Sequence, residues 1–161
     1  MALPDTVVNL LNDYFDIMVR EIIAHDGYVD KFIGDAVMAV FKEEAHLKRA
    51  ISSCLAIRNK INELPEISGT VKFKPKVSIG INSGEMISGN IGSAELRRLD
   101  YTVIGDTVNK AQRLQSAAKD GQVVIKESSY QLIKKSFKCE KLGEVELKNK
   151  ANSVIIYEVL E

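Results

Sequence analysis

Two short stretches of this chain hold the side chains from which chemistry could be built. The first is Asp30-Lys31-Phe32-Ile33-Gly34-Asp35. A glycine at a turn lets the backbone bend tightly and approach a ligand closely. The carboxylate of Asp35 beside it is a hard oxygen donor, suited to Mg2+ or Mn2+ together with phosphate oxygens. The second stretch runs from Tyr101 to Arg113, with Asn109 and Arg113 four residues apart and so on one face of a helix. A helix start already favours phosphate, and an arginine on the same face adds a charge-assisted donor. Judged singly, the first stretch reads better as an ordinary Gly-Asp turn and the second as a solvated helix face with an incidental arginine.

The elements that must position these residues follow from periodicity. Pro4 and Asp5 open a helix in which Val7, Leu10, Leu11, Tyr14, Phe15, Ile17, Met18 and Ile22 recur at helical spacing. It stops at His25-Asp26-Gly27, and its apolar face is expected to pack on a sheet. Tyr28 to Ile33 and Ala36 to Phe41 then form a hairpin with Gly34-Asp35 at its polar tip. Leu47 to Ile61 is a second amphipathic helix, ended by Pro65. Phe73 to Asn82 and Glu85 to Ile91 alternate as strands around a Ser83-Gly84 turn. Gly92 to Leu99 is expected to be an exposed, charged arm carrying Glu95, Arg97 and Arg98. After a strand over Asp100 to Ile104, Gly105-Asp106-Thr107 opens a third helix to Ala118, with Asp106 or Thr107 as its cap. Val123 to Ile125 is a strand and Glu127 to Lys135 a short helix. Phe137 to Leu147 and Ser153 to Leu160 are antiparallel strands. The whole, 1–161, reads as one α+β domain.

Composition narrows the classes. Lys plus Arg and Asp plus Glu both number 22, so no net field draws the chain to nucleic acid or to a membrane surface, and any basic site is local. No apolar run reaches the length of a membrane span. Cys54 and Cys139 form no metal-binding pattern, which suits two reduced structural thiols in the cytoplasm. His25 and His46 lack a partner at metal spacing, and Lys134-Lys135 reads as a solvated helix end.

Taken together, the two stretches resemble the class III adenylyl and guanylyl (nucleotidyl) cyclase catalytic domain. Gly27 to Phe41 is similar to that family's metal hairpin, and Asp100 to Arg113 to its substrate and transition-state segment. Gly80-Ile-Asn-Ser-Gly84, Gly89-Asn-Ile-Gly92 and Leu142 to Lys150 match further landmarks in the right order. The resemblance implies a ferredoxin-like α+β fold, mostly antiparallel sheet with helices. It also implies a two-metal reaction in which the ribose 3′-hydroxyl attacks the α-phosphorus in line and expels pyrophosphate. By the resemblance Asp35 is a metal ligand, Asn109 orients the ribose, and Arg113 stabilises charge on phosphorus. Lys31 and Thr102 match the base-reading pair; a donor and an acceptor there suit adenine, so ATP is the implied substrate and cyclic AMP the product. Lys150 matches a triphosphate-binding lysine. Two Mg2+ or Mn2+ ions per complete site are implied, with a head-to-tail homodimer; the arm at Gly92 to Leu99 resembles the family's dimerisation hairpin.

The sequence departs from the pattern at its start. The family's first metal aspartate lies on a strand before the first helix, in a segment like Phe-Ala-Asp-Ile-x-x-Phe-Thr, and nothing here matches it. Asp5, Asp13 and Asp16 are poor substitutes, the latter two being expected to face solvent. The chain therefore reads as lacking the first strand, as a truncated piece that is weak or inactive by itself, and as compensating by strand exchange or an altered dimer. Glu85 stands where some members carry an arginine. The competing reading is a catalytically inert cyclase-like module that binds nucleotide or only dimerises.

Overall fold

The computed structural model describes residues 4–66, 72–93, 98–146 and 153–161. In chain order the elements are α1 (Pro4–Ala24), β1 (Tyr28–Ile33), β2 (Ala36–Val40), α2 (His46–Asn62), β3 (Ile79–Gly80) and β4 (Ile87–Ser93). They continue as β5 (Arg98–Ile104), α3 (Asp106–Ala117), β6 (Val123–Lys126), α4 (Glu127–Ile133), β7 (Cys139–Glu146) and β8 (Ser153–Val159). The described strands form a β1-β2 hairpin, a β4-β5 hairpin and a four-stranded sheet in the order β3-β6-β8-β7. Only the β3-β6 pair is parallel.

The apolar periodicity of α1 and α2 is spent on packing. Ile22 of α1 meets Ile57 and Ile61 of α2, flanked by Tyr14, Ile17 and Met18. The same cluster takes in Val29, Val37 and Ala39 from the β1-β2 hairpin and Val77 and Ile79 from the approach to β3. A second cluster seats Leu47, Ala50 and Ile51 of α2 on Val123 and Ile125 of β6, Val159 of β8 and Ile133 of α4. The first helix thus packs on the rest of the fold.

The β1-β2 hairpin and β3 lie against one helical layer yet belong to different sheets. Among the described residues no backbone hydrogen bond joins β2 to β3. The run from Phe73 to Asn82 is accordingly a shorter strand than its alternation suggests. Pro75 has no amide to donate, and the described hydrogen bonds run to the β6 side. Gly121 N donates to Val77 O at 2.8 Å, Ile79 N to Gln122 O at 2.9 Å and Ile81 N to Val124 O at 3.0 Å.

The expected arm at Gly92 to Leu99 is also corrected in part. Gly92 pairs with Leu99 and Ser93 with Arg98, so the β4-β5 ladder runs on into it. Backbone pairing overrides the polar, charged composition that suggested a loop; Glu95 and Arg97 lie outside the described residues.

One glycine decides how α3 sits. A Cβ built on Gly80 would fall 2.2 Å from Gln115 N and 2.5 Å from Ala111 O. The backbone of α3 therefore rests directly on β3, closer than any side chain allows. Gly80→Ala is expected to push the helix away and cost about 1–3 kcal/mol, the usual penalty of overpacking. A urea midpoint unchanged by this substitution would show that α3 is not seated there.

Candidate active site

The first group of candidate residues stands on the β1-β2 hairpin. Gly34 takes φ +60°, which glycine adopts without strain, and open space surrounds it. Asp35 follows on the exposed tip, a carboxylate presented to solvent. Lys31 is 43% exposed, with its ammonium 3.5 Å from the carboxylate of Asp30.

The root of this hairpin is tied by a residue that sequence reasoning missed. Arg49 of α2 donates from Nη1 to His25 O at 3.2 Å and Asp26 O at 3.1 Å, before β1. From Nε and Nη2 it donates to Glu44 O at 3.1 and 3.0 Å, and Nη2 also reaches Lys42 O, after β2. The loops so joined hold three non-glycine residues at positive φ: Asp26 at 60°, Glu43 at 67° and Ala45 at 57°. Such residues cost roughly 1–2 kcal/mol each, and the planar fork of donors offsets part of that cost by holding the carbonyls of both loops. The Phe41 ring fills the space beside Gly27 where a Cβ would lie, 2.5 Å from the nearest ring carbon.

The second group stands on α3. Ala111 and Gln115 face Gly80, and a helix turns about 100° per residue. Asn109 and Arg113, two residues to either side of Ala111, therefore point away from β3, and both are exposed. At the start of α3 Gly105 occupies the cap position, and Thr107 bonds outside its own helix. The Thr107 hydroxyl donates to Glu85 O at 2.8 Å, and Asn82 Nδ2 donates to Thr107 O at 3.0 Å. Gly84 leaves room for the threonine, since a Cβ there would lie 2.7 Å from its Oγ1. Asp106 pairs with Lys110 at 2.9 Å. These tertiary bonds tie α3 to the Asn82–Glu85 turn.

The other expected residues are placed as follows. Thr102 lies on β5 opposite Gly89. Lys150 lies outside the described residues. Asp5, Asp13 and Asp16 are exposed on α1, Asp16 paired with Arg20 at 2.9 Å. Glu85 is exposed and serves through its backbone carbonyl. His25 is half-buried, with Nδ1 donating to Glu21 O at 2.8 Å. His46 bridges α2 to the same turn: Nδ1 donates to Glu43 O at 3.1 Å, and the Ser83 hydroxyl stands 2.6 Å from Nε2. Cys54 and Cys139 are free thiols. Burial pushes the Cys54 thiol up to about 12 and raises that of Cys139, which suits packing rather than nucleophilic work.

Among the described residues no group of three or more His, Cys, Asp or Glu could hold a metal ion. Asp35 fits one corner of a divalent site completed by phosphate oxygens, since Mg2+ is commonly held by one or two carboxylates plus substrate. It does not make a two-ion site by itself.

Comparison with known proteins gives this arrangement its class. Residues 1–160 match the family described as adenylate and guanylate cyclase catalytic domain. The chain belongs to that family. It is 32% identical to adenylate cyclase 1 of Rhizobium meliloti over 98% of its own length, and 32% identical to the terminal-differentiation-specific adenylate cyclase of Dictyostelium discoideum over 99%. It spans 24% and 8% of those two proteins. Among solved structures, the adenylyl cyclase CyaB from P. aeruginosa superposes with a TM-score of 0.83 at 30% identity, covering 99% of this chain and 85% of that one. The guanylate cyclase domain of RhGC from Catenaria anguillulae, solved in complex with GTP, gives 0.83 at 26% identity, covering 99% and 86%. The α+β, ferredoxin-like cyclase fold expected from the sequence is therefore the fold of this chain.

Arg49→Lys keeps the charge but loses the fork, leaving carbonyls of both loops without their donor. It is expected to destabilise the chain by about 1–3 kcal/mol, read as a fall in the thermal midpoint. A midpoint equal to that of the parent would show that the loops hold their left-handed turns unaided.

Proposed function

We propose that residues 1–161 are one adenylyl cyclase catalytic domain, which converts ATP to 3′,5′-cyclic AMP and pyrophosphate for intracellular signalling in the cytoplasm. The observation that carries this reading is the outward presentation of Asn109 and Arg113 from a helix seated on β3, in a chain of the cyclase family. Curated relatives named adenylate cyclases support ATP over GTP. So does the lysine at position 31, a donor suited to an adenine ring nitrogen.

Each side chain has a role in this reading. Lys31 and Thr102 recognise adenine, and Asn109 orients the ribose so that its 3′-hydroxyl lies in line with the α-phosphorus. Arg113 donates to the oxygens where charge builds up in the transition state. Lys150 contacts the triphosphate, and Asp35 holds Mg2+ or Mn2+. The divalent ions, when bound, supply activation of the hydroxyl and neutralisation of the triphosphate. Base-reading and phosphorus-binding residues act opposite Asp35 of a second copy, which makes the working unit a homodimer with two sites. The dimer in this reading is strand-exchanged or altered. This chain alone turns over slowly, because Asp35 is not clustered with further metal-binding side chains among the described residues. No nucleic acid takes part. No helix among the described residues is long and apolar enough to cross a membrane.

The same sparse metal set favours a second reading, an inert cyclase-like module that binds nucleotide or only dimerises. A cyclase assay with Mn2+ and either ATP or GTP, on this chain and on a version extended upstream, separates the two. Activity with ATP preferred, strongest in the extended form, is expected. Arg113→Ala is expected to lower it about a hundredfold to a thousandfold, as for loss of one transition-state donor. Silence in both forms would leave the inert module standing, and cyclic GMP as main product would overturn the roles given to Lys31 and Thr102.

A further inference from the structure

The register of the β1-β2 hairpin contains a slip at one residue. Val29 pairs with Ala39 and Lys31 with Met38, so β1 advances two residues while β2 advances one. Asp30 is the extra residue, the mark of a β-bulge.

The slip reassigns faces. In an unbroken strand, neighbours point to opposite sides, so Lys31 would share a face with Val29. That face is the one packed on the helices, since Val29, Val37 and Ala39 join the cluster around Ile22 and Ile57. After the bulge Phe32, not Lys31, stands opposite Val37. Its ring meets Phe15 of α1 edge-on at 4.9 Å. Lys31 now stands opposite Met38, on the other face, and its charged end meets that of Asp30. Lys31 Nζ lies 3.5 Å from Asp30 Oδ2, and the Asp30 side chain is 0% exposed against 43% for Lys31. A covered carboxylate is a fixed anchor, whereas the long lysine stem otherwise samples many rotamers.

We propose that Asp30 is a positioning residue for Lys31: the bulge brings its buried carboxylate beside the ammonium and sets the direction in which Lys31 donates to the nucleotide base. This rests on the base-reading role of Lys31 in the proposed function. The ammonium has three protons, so an ion pair with Asp30 and a hydrogen bond to a ring nitrogen of adenine are compatible. Losing the anchor weakens the preference for ATP without touching the residues that act at phosphorus.

The test is equilibrium titration with ATP and with GTP of the parent chain, Asp30→Asn, Lys31→Met and the double variant, which reads selectivity independently of turnover. Each single substitution is expected to reduce the preference for ATP over GTP by about tenfold, the scale of one hydrogen bond to a charged group. The double variant is expected to be no worse than Lys31→Met, because both remove one coupled unit. A merely structural role would give additive losses that affect ATP and GTP alike; that result, or parent-like selectivity in Asp30→Asn, overturns the proposal. Should Asp30→Asn not fold, Asp30→Ser carries the same comparison. A Lys31→Met chain that still prefers ATP marks a different failure, that of Lys31 as base reader, and the positioning role falls with it.

Discussion

The seating of α3 on Gly80 is the contact on which the rest of this site depends. A helix backbone within reach of a strand backbone has almost no freedom to roll, because neither surface can be displaced as a side chain can. Rolling is the motion that would carry Asn109 and Arg113 away from a substrate. The bonds from Thr107 to Glu85 and from Asn82 to Thr107 remove the remaining freedom, sliding along the axis. The helix start is thereby tied to a tertiary turn.

The hairpin is a second platform, fixed by other means. Its tip, with Asp35, is exposed, so its stability has to come from the root. Arg49 supplies that by joining the loops before β1 and after β2, and the apolar side of the hairpin is glued to α1 and α2. Rigid roots with exposed working ends are the general requirement of a preorganised site. Charge follows the same economy: the chain as a whole is neutral, so the field at the site is made by individual residues and not by the molecule.

Much of this was legible in the sequence. Helical spacing of apolar residues located α1 and α2, and Gly34-Asp35 located the hairpin turn, because both signals are local and strong. The strand at Phe73 to Asn82 was overread, since alternation reports which side chains face a core but not whether a neighbouring strand is there to pair. The composition of Gly92 to Leu99 suggests a loop and only its resemblance suggests a hairpin, because a ladder can form through polar and charged residues when its register is already set. Gly80 carried a usable signal: a glycine inside an apolar strand announces that something comes close. Arg49 carried none, because the carbonyls it satisfies belong to loops that only folding brings together.

The sequence by itself determined the elements, their order and the family, and it named Lys31, Asp35, Asn109 and Arg113 through their order and spacing. Those are properties of residues near one another in the chain. Tertiary structure alone decided which way they point. The bulge at Asp30 moved Lys31 from the helix-packed face to the open one, and the approach of Ala111 and Gln115 to Gly80 turned Asn109 and Arg113 outward. Orientation of this kind depends on register and on backbone contact between distant segments, and a one-residue slip reverses it.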